Sequence, residues 1–376
     1  MRWYMNEENQ LIQNAIREFA QQRVRPFVDK MEKEEAAATE LVREMGELGF
    51  LALGKPEQYG GAGDDQMPVT ILMQELGRES YAVALVTMIQ HIFINEMLSK
   101  CSEEQKQKYV VPAITGDTII ALAGNEPSGG MYFDGYSTKA KKGGNEWVIN
   151  GGKCLITQVD QADLYIVSAL TADKVDPMTF EGYSTFLVPA DTEGISIGHI
   201  ENKVGWKGSH TGTIYFNNVR VPEENKTPAS LFTSVMFGLG AWYGAVDLGG
   251  CETCLEKTKE ILKGRIQDGG ASIWAAHESA RADVAALQMK VDMFRNSLYS
   301  HTQNINDGEA TALEDTAYKV EGAKLLTEVA HECMILCGGA GLIYETGIER
   351  FYRDAPVSEI GCGSSKTMTS LLSWML

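Results

Sequence analysis

The stretch Val204-Gly205-Trp206-Lys207-Gly208-Ser209-His210-Thr211, followed by Thr213-Ile214-Tyr215-Phe216-Asn217-Asn218-Val219-Arg220-Val221-Pro222, decides the fold. Thr213–Phe216 is rich in β-branched and aromatic residues, which favour a pleated strand, and the glycines ahead of it mark a turn. Similar short runs lie upstream, at Tyr136–Ala140, Trp147–Ile149, Leu164–Val167 and Ser184–Val188. Turn sequences separate them, among them Lys142-Gly143-Gly144-Asn145 and Asn150-Gly151-Gly152. Residues 119–225 therefore read as a small antiparallel β-barrel or sandwich domain.

On both sides the period changes. Leu11, Ile12, Ala15, Ile16 and Phe19 recur at helical spacing, and Leu41, Met45 and Leu48 follow in the same style. Pro56-Glu57-Gln58-Tyr59-Gly60-Gly61-Ala62-Gly63 breaks the pattern into a loop, after which Val69–Ser80 and Val83–Leu98 resume it. Ser102 caps a further helix, with Glu103 and Glu104 suited to its first turn. Beyond the strands, Trp242–Ile266, Ala275–Asp307 and Leu313–Leu336 predict long helices, and Ser364–Met375 a last one. The fold class is α+β: an N-terminal helical domain (1–118), the middle β-barrel domain (119–225) and a C-terminal four-helix bundle (226–376).

Composition narrows the function. The 376 residues carry 33 Lys+Arg against 51 Asp+Glu, a net charge of −18, which disfavours nucleic acid and anionic membrane as partners. The N-terminus, Met1-Arg2-Trp3-Tyr4-Met5-Asn6-Glu7-Glu8, has no apolar run suited to a signal peptide, so a cytoplasmic protein is expected. The uncharged segment Thr227–Val246 contains Pro228 and three glycines, and reads as a buried helix rather than a span. Seven cysteines are scattered, and Cys251-x-x-Cys254 sits in a helical pattern with no second pair nearby, as expected of reduced core thiols.

The order helices–strands–helices, with several local motifs, resembles the acyl-CoA dehydrogenase flavoprotein family. The motifs are Glu47-Leu48-Gly49-Phe50 with Pro56–Gly61, Glu104-Gln105-Lys106 through Tyr109 to Gly116, Asn125-Glu126-Pro127, Asn150–Lys153 into Leu155-Ile156-Thr157, and the opening stretch. Gly338-Gly339-Ala340-Gly341, Glu345 and Tyr352-Arg353-Asp354 complete the series. The resemblance implies FAD held between barrel and bundle, an acyl-CoA thioester substrate, dehydrogenation at Cα–Cβ or its reversal, and an electron-transferring flavoprotein as a redox partner. It implies a dimer or tetramer, of one chain or two. By position, the cofactor contacts fall on Asn125, Gly130, Leu155, Ile156, Thr157, Arg265, Gln267, Gly338, Gly339 and Ser364. Thr157 matches the hydroxyl near flavin N5. Arg265 matches an arginine that reaches a neighbour's FAD pyrophosphate, where a guanidinium fork suits phosphate oxygens. No metal site is expected.

The departures from the family concern the chemistry. Counting from Arg353-Asp354, the usual catalytic glutamate is Cys362, and the segment reads Gly361-Cys362-Gly363-Ser364. The family's alternative base position, counted back from Arg265, is Leu239, and its neighbouring arginine is Gly240. A thiol can act as base or nucleophile only when its surroundings lower its pKa. The aromatic residue usually beside the flavin is Leu155. The Gly-rich segment after Glu-Pro reads Ser128-Gly129-Gly130-Met131-Tyr132, the Gln before the double glycine is Ile335, and a Phe near the pyrophosphate is Asp268. Two readings follow. One is an FAD-dependent oxidoreductase with an atypical base. The other is a non-catalytic subunit of a hetero-oligomeric complex whose own site is degenerate.

Overall fold

The computed structural model describes residues 4–128, 135–173, 176, 180–228, 231 and 240–373. Gly130, Met131, Tyr132 and Leu239 lie outside these residues, as does much of the apolar segment from Thr227 to Val246.

The N-terminal part comprises α1 (Glu7–Phe19), α2 (Arg25–Glu32), α3 (Thr39–Glu47), α4 (Met67–Glu79), α5 (Tyr81–Lys100) and the short α6 (Glu103–Gln105) and α7 (Val111–Ile114). Their starts are written in the sequence. The Asn6 side chain accepts from the Asn9 N–H at 2.7 Å, and Ser102 with Gln105 forms a reciprocal capping box at α6. Helix α5 is apolar on nearly every face because it is buried on nearly every face. By length and composition it could cross a bilayer, but most of it lies in the core.

Strands β1 (Ile120–Ala123), β2 (Lys139–Gly143), β3 (Glu146–Ile156), β4 (Leu164–Leu170), β5 (Tyr183–Pro189), β6 (Ile195–Ile200), β7 (Gly212–Pro222) and β8 (Lys226–Thr227) form one sheet. The order is β6-β7-β3-β2-β4-β5-β8, with β1 beside β4. Two features correct the expected antiparallel barrel. The β1–β4 and β2–β4 pairs are parallel, and no ladder among the described residues joins β6 to β8. β1 enters from the helices, and the chain passes through β2 and β3 before laying β4 alongside it in the same direction. β6 has exposed residues along most of its length, as an outer edge strand does. Trp147, Ile149, Val167, Phe186, Val188, Ile214 and Phe216 fill the core of this sheet.

The C-terminal part comprises α8 (Gly240–Gly264), the short α9 (Ile273–Ala276), α10 (Glu278–Asp307), α11 (Ala312–Cys337), α12 (Ile348–Ile360) and α13 (Ser365–Ser373). One hydrophobic core is shared between the two helical parts: Leu76 and Phe93 pack in the same cluster as Val246, Leu248, Leu326 and Phe351. Cys251 and Cys254 are fully buried, free and on α8, as the sequence implied, and no metal-holding group occurs among the described residues.

Candidate functional site

Cys362 lies on the turn between α12 and α13. The Gly361 N–H donates to Val357 O at 2.8 Å, Cys362 is left-handed at φ +51°, and Gly363 follows at +97°. A Cβ on Gly361 would stand 2.5 Å from the Trp206 ring and 3.0 Å from the Tyr243 hydroxyl, so only glycine fits there. Ser364 Oγ accepts from the Thr367 N–H at 3.1 Å and starts α13. From α11, the buried Lys319 ammonium donates to Gly363 O at 2.6 Å and Glu359 O at 3.4 Å. Lys319 thus ties the turn to the bundle.

Cys362 itself is exposed, yet protein surrounds it closely on its inner side. That burial pushes its thiol up, against the opposing pull of the Tyr243 hydroxyl and the Lys319 charge. Tyr243, from α8, is fully buried, and among the described residues its hydroxyl has no hydrogen-bond partner, whether oxygen, nitrogen or sulfur; it lies beside the Cys362 turn, 3.0 Å from where a Cβ on Gly361 would stand. Burial, and then Cys362, pushes that hydroxyl well above 10. At neutral pH the turn therefore presents a protonated thiol backed by a protonated phenol.

Behind this pair lies a second buried group. The Tyr81 hydroxyl is 2.9 Å from Asp247 Oδ1 and 2.7 Å from Ser358 Oγ, and Ser358 donates to the same carboxylate oxygen at 2.8 Å. Tyr81 also stacks on Trp206, with centroids 5.1 Å apart, and the backbone N–H of Trp206 donates to Asp354 Oδ1 at 2.7 Å. Burial raises Asp247 to about 7. Asp247 is enclosed between helices and does not reach the Cys362 turn. Glu252, one turn and more along α8, pairs with Arg78 and Arg295 and is structural.

The residues proposed to hold the cofactor fall into separate places. At the end of β3, Leu155 is left-handed and 57% exposed, Ile156 is buried beneath it, and Thr157 begins the turn that follows. The Asn125 carbonyl accepts from the Cys154 N–H at 2.9 Å, which sets the 125–127 loop beside this strand. The loop is anchored by a pair that sequence reading overlooked. Lys153 Nζ donates to Glu126 Oε1 at 2.9 Å, and both side chains are buried. Lys153 also reaches Gly124 O and Ser168 Oγ, while Glu126 accepts from the Ser137 and Thr138 N–H groups. Both residues sit in motifs quoted above, but sequence does not show that they meet.

At the other place, Arg265 leaves the end of α8 and donates to Cys337 O, the end of α11, at 3.1 Å. Gly338 follows at φ +60°, and a Cβ on Gly339 would meet nothing within 4 Å. An exposed guanidinium beside bare backbone fits an anionic diphosphate. Gln267 is close by in sequence but exposed, with its side chain 3.0 Å from His277 Nε2. Asp268 is exposed as well, an opposing charge near that opening.

Gly240 is closed to any side chain by its surroundings. Its N–H donates to Asp315 Oδ2 at 2.7 Å and the Ala241 N–H to Oδ1 at 3.0 Å, so Asp315 caps α8 from α11. A Cβ at Gly240 would fall 1.4 Å from the Asp315 carbonyl oxygen. No side chain can occupy that position while α8 and α11 stay in contact.

This three-part helix–sheet–helix architecture, with its glycine turn after α11, is that of the acyl-CoA dehydrogenases. The family models for the acyl-CoA dehydrogenase N-terminal, middle and C-terminal domains match residues 6–117, 121–219 and 241–374. An acyl-CoA dehydrogenase of Bacillus subtilis (strain 168) is 30% identical over 376 residues, covering 98% of both chains. A 3-(aryl)acrylate reductase of Clostridium sporogenes (strain ATCC 15579) is 28% identical over 378 residues, also covering 98% of each. The structure of butyryl-CoA dehydrogenase from Megasphaera elsdenii superposes with a TM-score of 0.92 at 25% identity, covering 100% of this chain and 99% of that one. The chain belongs to the acyl-CoA dehydrogenase family.

Proposed function

We propose that the protein is an FAD-dependent oxidoreductase acting on an acyl-CoA thioester at Cα–Cβ, with no carboxylate at the position of the usual base. The observation that carries this reading is the guanidinium of Arg265 set against the open backbone of Gly338 and Gly339. These groups would hold a diphosphate, and the exposed Leu155 with Thr157 would lie against a flat ring. When bound, FAD supplies the two-electron chemistry and the protein orients it. The assembly proposed is a dimer or tetramer in the cytoplasm, passing electrons to an electron-transferring flavoprotein.

The second reading is a non-catalytic subunit of a hetero-oligomer. The lack of a carboxylate at Cys362 favours it, as does Asp268, an exposed negative charge three residues from Arg265. The test is spectroscopic. Purified chain supplied with FAD should retain it through gel filtration, absorb near the flavin maximum, and change its spectrum on adding butyryl-CoA or crotonyl-CoA. A colourless chain that takes up no FAD would refute the first reading and leave the second.

A further inference from the structure

We infer that Cys362 is the proton donor to Cα in the reduction of an α,β-unsaturated acyl thioester, with Tyr243 positioning its thiol, so that the site works in the reductive direction. The inference rests on the acyl-CoA reading above and specifies the substrate class within it.

The geometry favours a donor over a base. A dehydrogenation needs a group that accepts the Cα proton, and in this family that group is a carboxylate. Here Cys362 occupies the position, and the alternative position, Leu239, is a hydrocarbon. α8 brings Tyr243, whose unpartnered buried hydroxyl lies beside the turn, 3.0 Å from where a Cβ on Gly361 would stand, and the more distant Asp247. α11 brings Lys319, a cation clamped on the carbonyls of the same turn. α12 brings Glu359, whose carboxylate oxygen accepts from Thr327 at 2.7 Å and is thereby engaged elsewhere. None of these is a free base beside Cys362; the neighbours are a donor and a cation.

The conformation of Cys362 is set as well. Gly361 is pressed against Trp206 and Tyr243, and Gly363 is held by Lys319, which leaves Cys362 left-handed with its side chain exposed. A left-handed non-glycine residue is strained and persists only where the surroundings fix it. The Tyr243 hydroxyl, fully buried, has no hydrogen-bond partner among the described residues. It can donate to the sulfur as the S–H proton leaves, which stabilises the thiolate in the transition state without ionising it beforehand.

The step balances. FAD, when bound and reduced, would supply the hydride that forms the new C–H bond at Cβ, and the C=C π pair would move to Cα. Cα takes the proton from Cys362 S–H. The thiolate that remains is exposed and regains a proton from water. The two electrons that saturate the Cα=Cβ bond would come from FAD, which would be left oxidised.

The test uses the FAD-loaded protein with crotonyl-CoA and a chemically reduced flavin. Wild type should reduce crotonyl-CoA. Cys362→Ala should lose about 10²–10⁴-fold in rate with crotonyl-CoA binding unchanged, the range of one general acid. Cys362→Ser, a weaker acid of the same shape, should fall between them. A flavin-independent readout accompanies it: iodoacetamide alkylation of Cys362, followed by peptide mass spectrometry across pH. Half-maximal alkylation should lie above pH 9, and Tyr243→Phe should move it higher by removing the donor to the thiolate. Undiminished reduction by Cys362→Ala, or half-maximal alkylation near pH 7, would overturn the proposal. Crotonyl-CoA that binds but is not reduced by wild type would overturn it too, while leaving the acyl-CoA reading intact. Failure of crotonyl-CoA and butyryl-CoA to bind at all would remove both.

Discussion

Replacing Lys153 by Met tests how the Asn125–Pro127 loop is held against the sheet. The ammonium donates to Gly124 O, Glu126 Oε1 and Ser168 Oγ, at 3.1, 2.9 and 3.1 Å, and the Lys153 and Glu126 side chains are 0% and 1% exposed. Methionine keeps the length of the stem but strands the carboxylate. Removing one partner of a buried pair typically costs about 3–5 kcal/mol, because the remaining charge is left uncompensated. Glu126 would keep the Ser137 and Thr138 N–H groups and the Ser137 hydroxyl, so the loss should fall at the low end, about 3 kcal/mol. The pH dependence follows from the same pair. Burial pushes Glu126 up, but Lys153 and the Ser137 donors outweigh it and hold the carboxyl below its usual range. Its contribution is present above the unfolded carboxylate pKa and lost as pH falls through the lower folded value. In the variant burial is no longer opposed by the ammonium. Glu126 then protonates more readily, and the deficit against wild type should shrink between pH 7 and pH 4. The assay is urea unfolding across this range, with Glu126→Gln/Lys153→Met closing a double-mutant cycle. The reasoning is refuted if Lys153→Met costs under about 1 kcal/mol at pH 7, the value of a solvated pair, or if the double variant is no more stable than the single.

Three further outcomes are expected. Asp247 is raised to about 7 by burial, above its unfolded value, so its contribution is present at acid pH and lost as pH rises toward 7. Asp247→Asn keeps acceptors for Tyr81 and Ser358 and should remove that slope, gaining up to about 4 kcal/mol at pH 8; unchanged pH dependence in thermal melts would contradict this. Gly240→Ala should destabilise despite the better helix propensity of alanine, which alone would add about 1 kcal/mol. The 1.4 Å approach to Asp315 O forces α8 from α11, at a cost of about 1–3 kcal/mol or more, and a raised melting temperature would refute it. Ser102→Ala breaks the capping box at α6 and should cost about 1 kcal/mol by chemical denaturation; no loss would show that Gln105, which also reaches Glu224 O, holds the turn alone.

Much of the fold is legible because the signals are local. Ser102 and the acidic residues after it announce a helix start, the three long C-terminal helices come within a few residues of their predicted bounds, and the β-prone runs become strands except for Tyr136–Thr138, which lie ahead of β2. Closure of the sheet is not local. Whether β6 meets β8 depends on strands far apart in sequence, and alternation within each strand is the same in an open sheet as in a barrel. The site follows the same division. The position of Cys362 can be counted from Arg353-Asp354, but its partners arrive from elsewhere. Tyr243 and Lys319 lie 76 residues apart in sequence, on α8 and α11, and nothing in either segment marks them as facing one turn. Glu126 and Lys153 are both visible as motif residues; their pairing is a tertiary fact. A lysine in an otherwise apolar helical face, as at Lys319, is the one signal that could have been followed, since a buried ammonium must find acceptors.

Gly240 and Cys362 together bear on which reading of this chain is the stronger. If relaxed constraint alone had removed the family's charged groups, the vacated positions would be expected to hold side chains that touch nothing in particular. Instead each is built into a new contact. At Gly240 the backbone N–H is capped by Asp315, whose carboxylate also stands 3.2 Å from His301 Nε2. At Cys362 the turn is held by Lys319, and the buried Tyr243 hydroxyl lies beside it with no hydrogen-bond partner among the described residues. A fully buried tyrosine with an unpaired hydroxyl costs stability, on the order of 1–3 kcal/mol, unless something offsets it. A phenylalanine at this position would avoid that cost, so the hydroxyl is explained by what it does beside the sulfur. That argument favours a site with altered proton chemistry over a site that has merely decayed, and it places the weight of the question on the Tyr243–Cys362 pair.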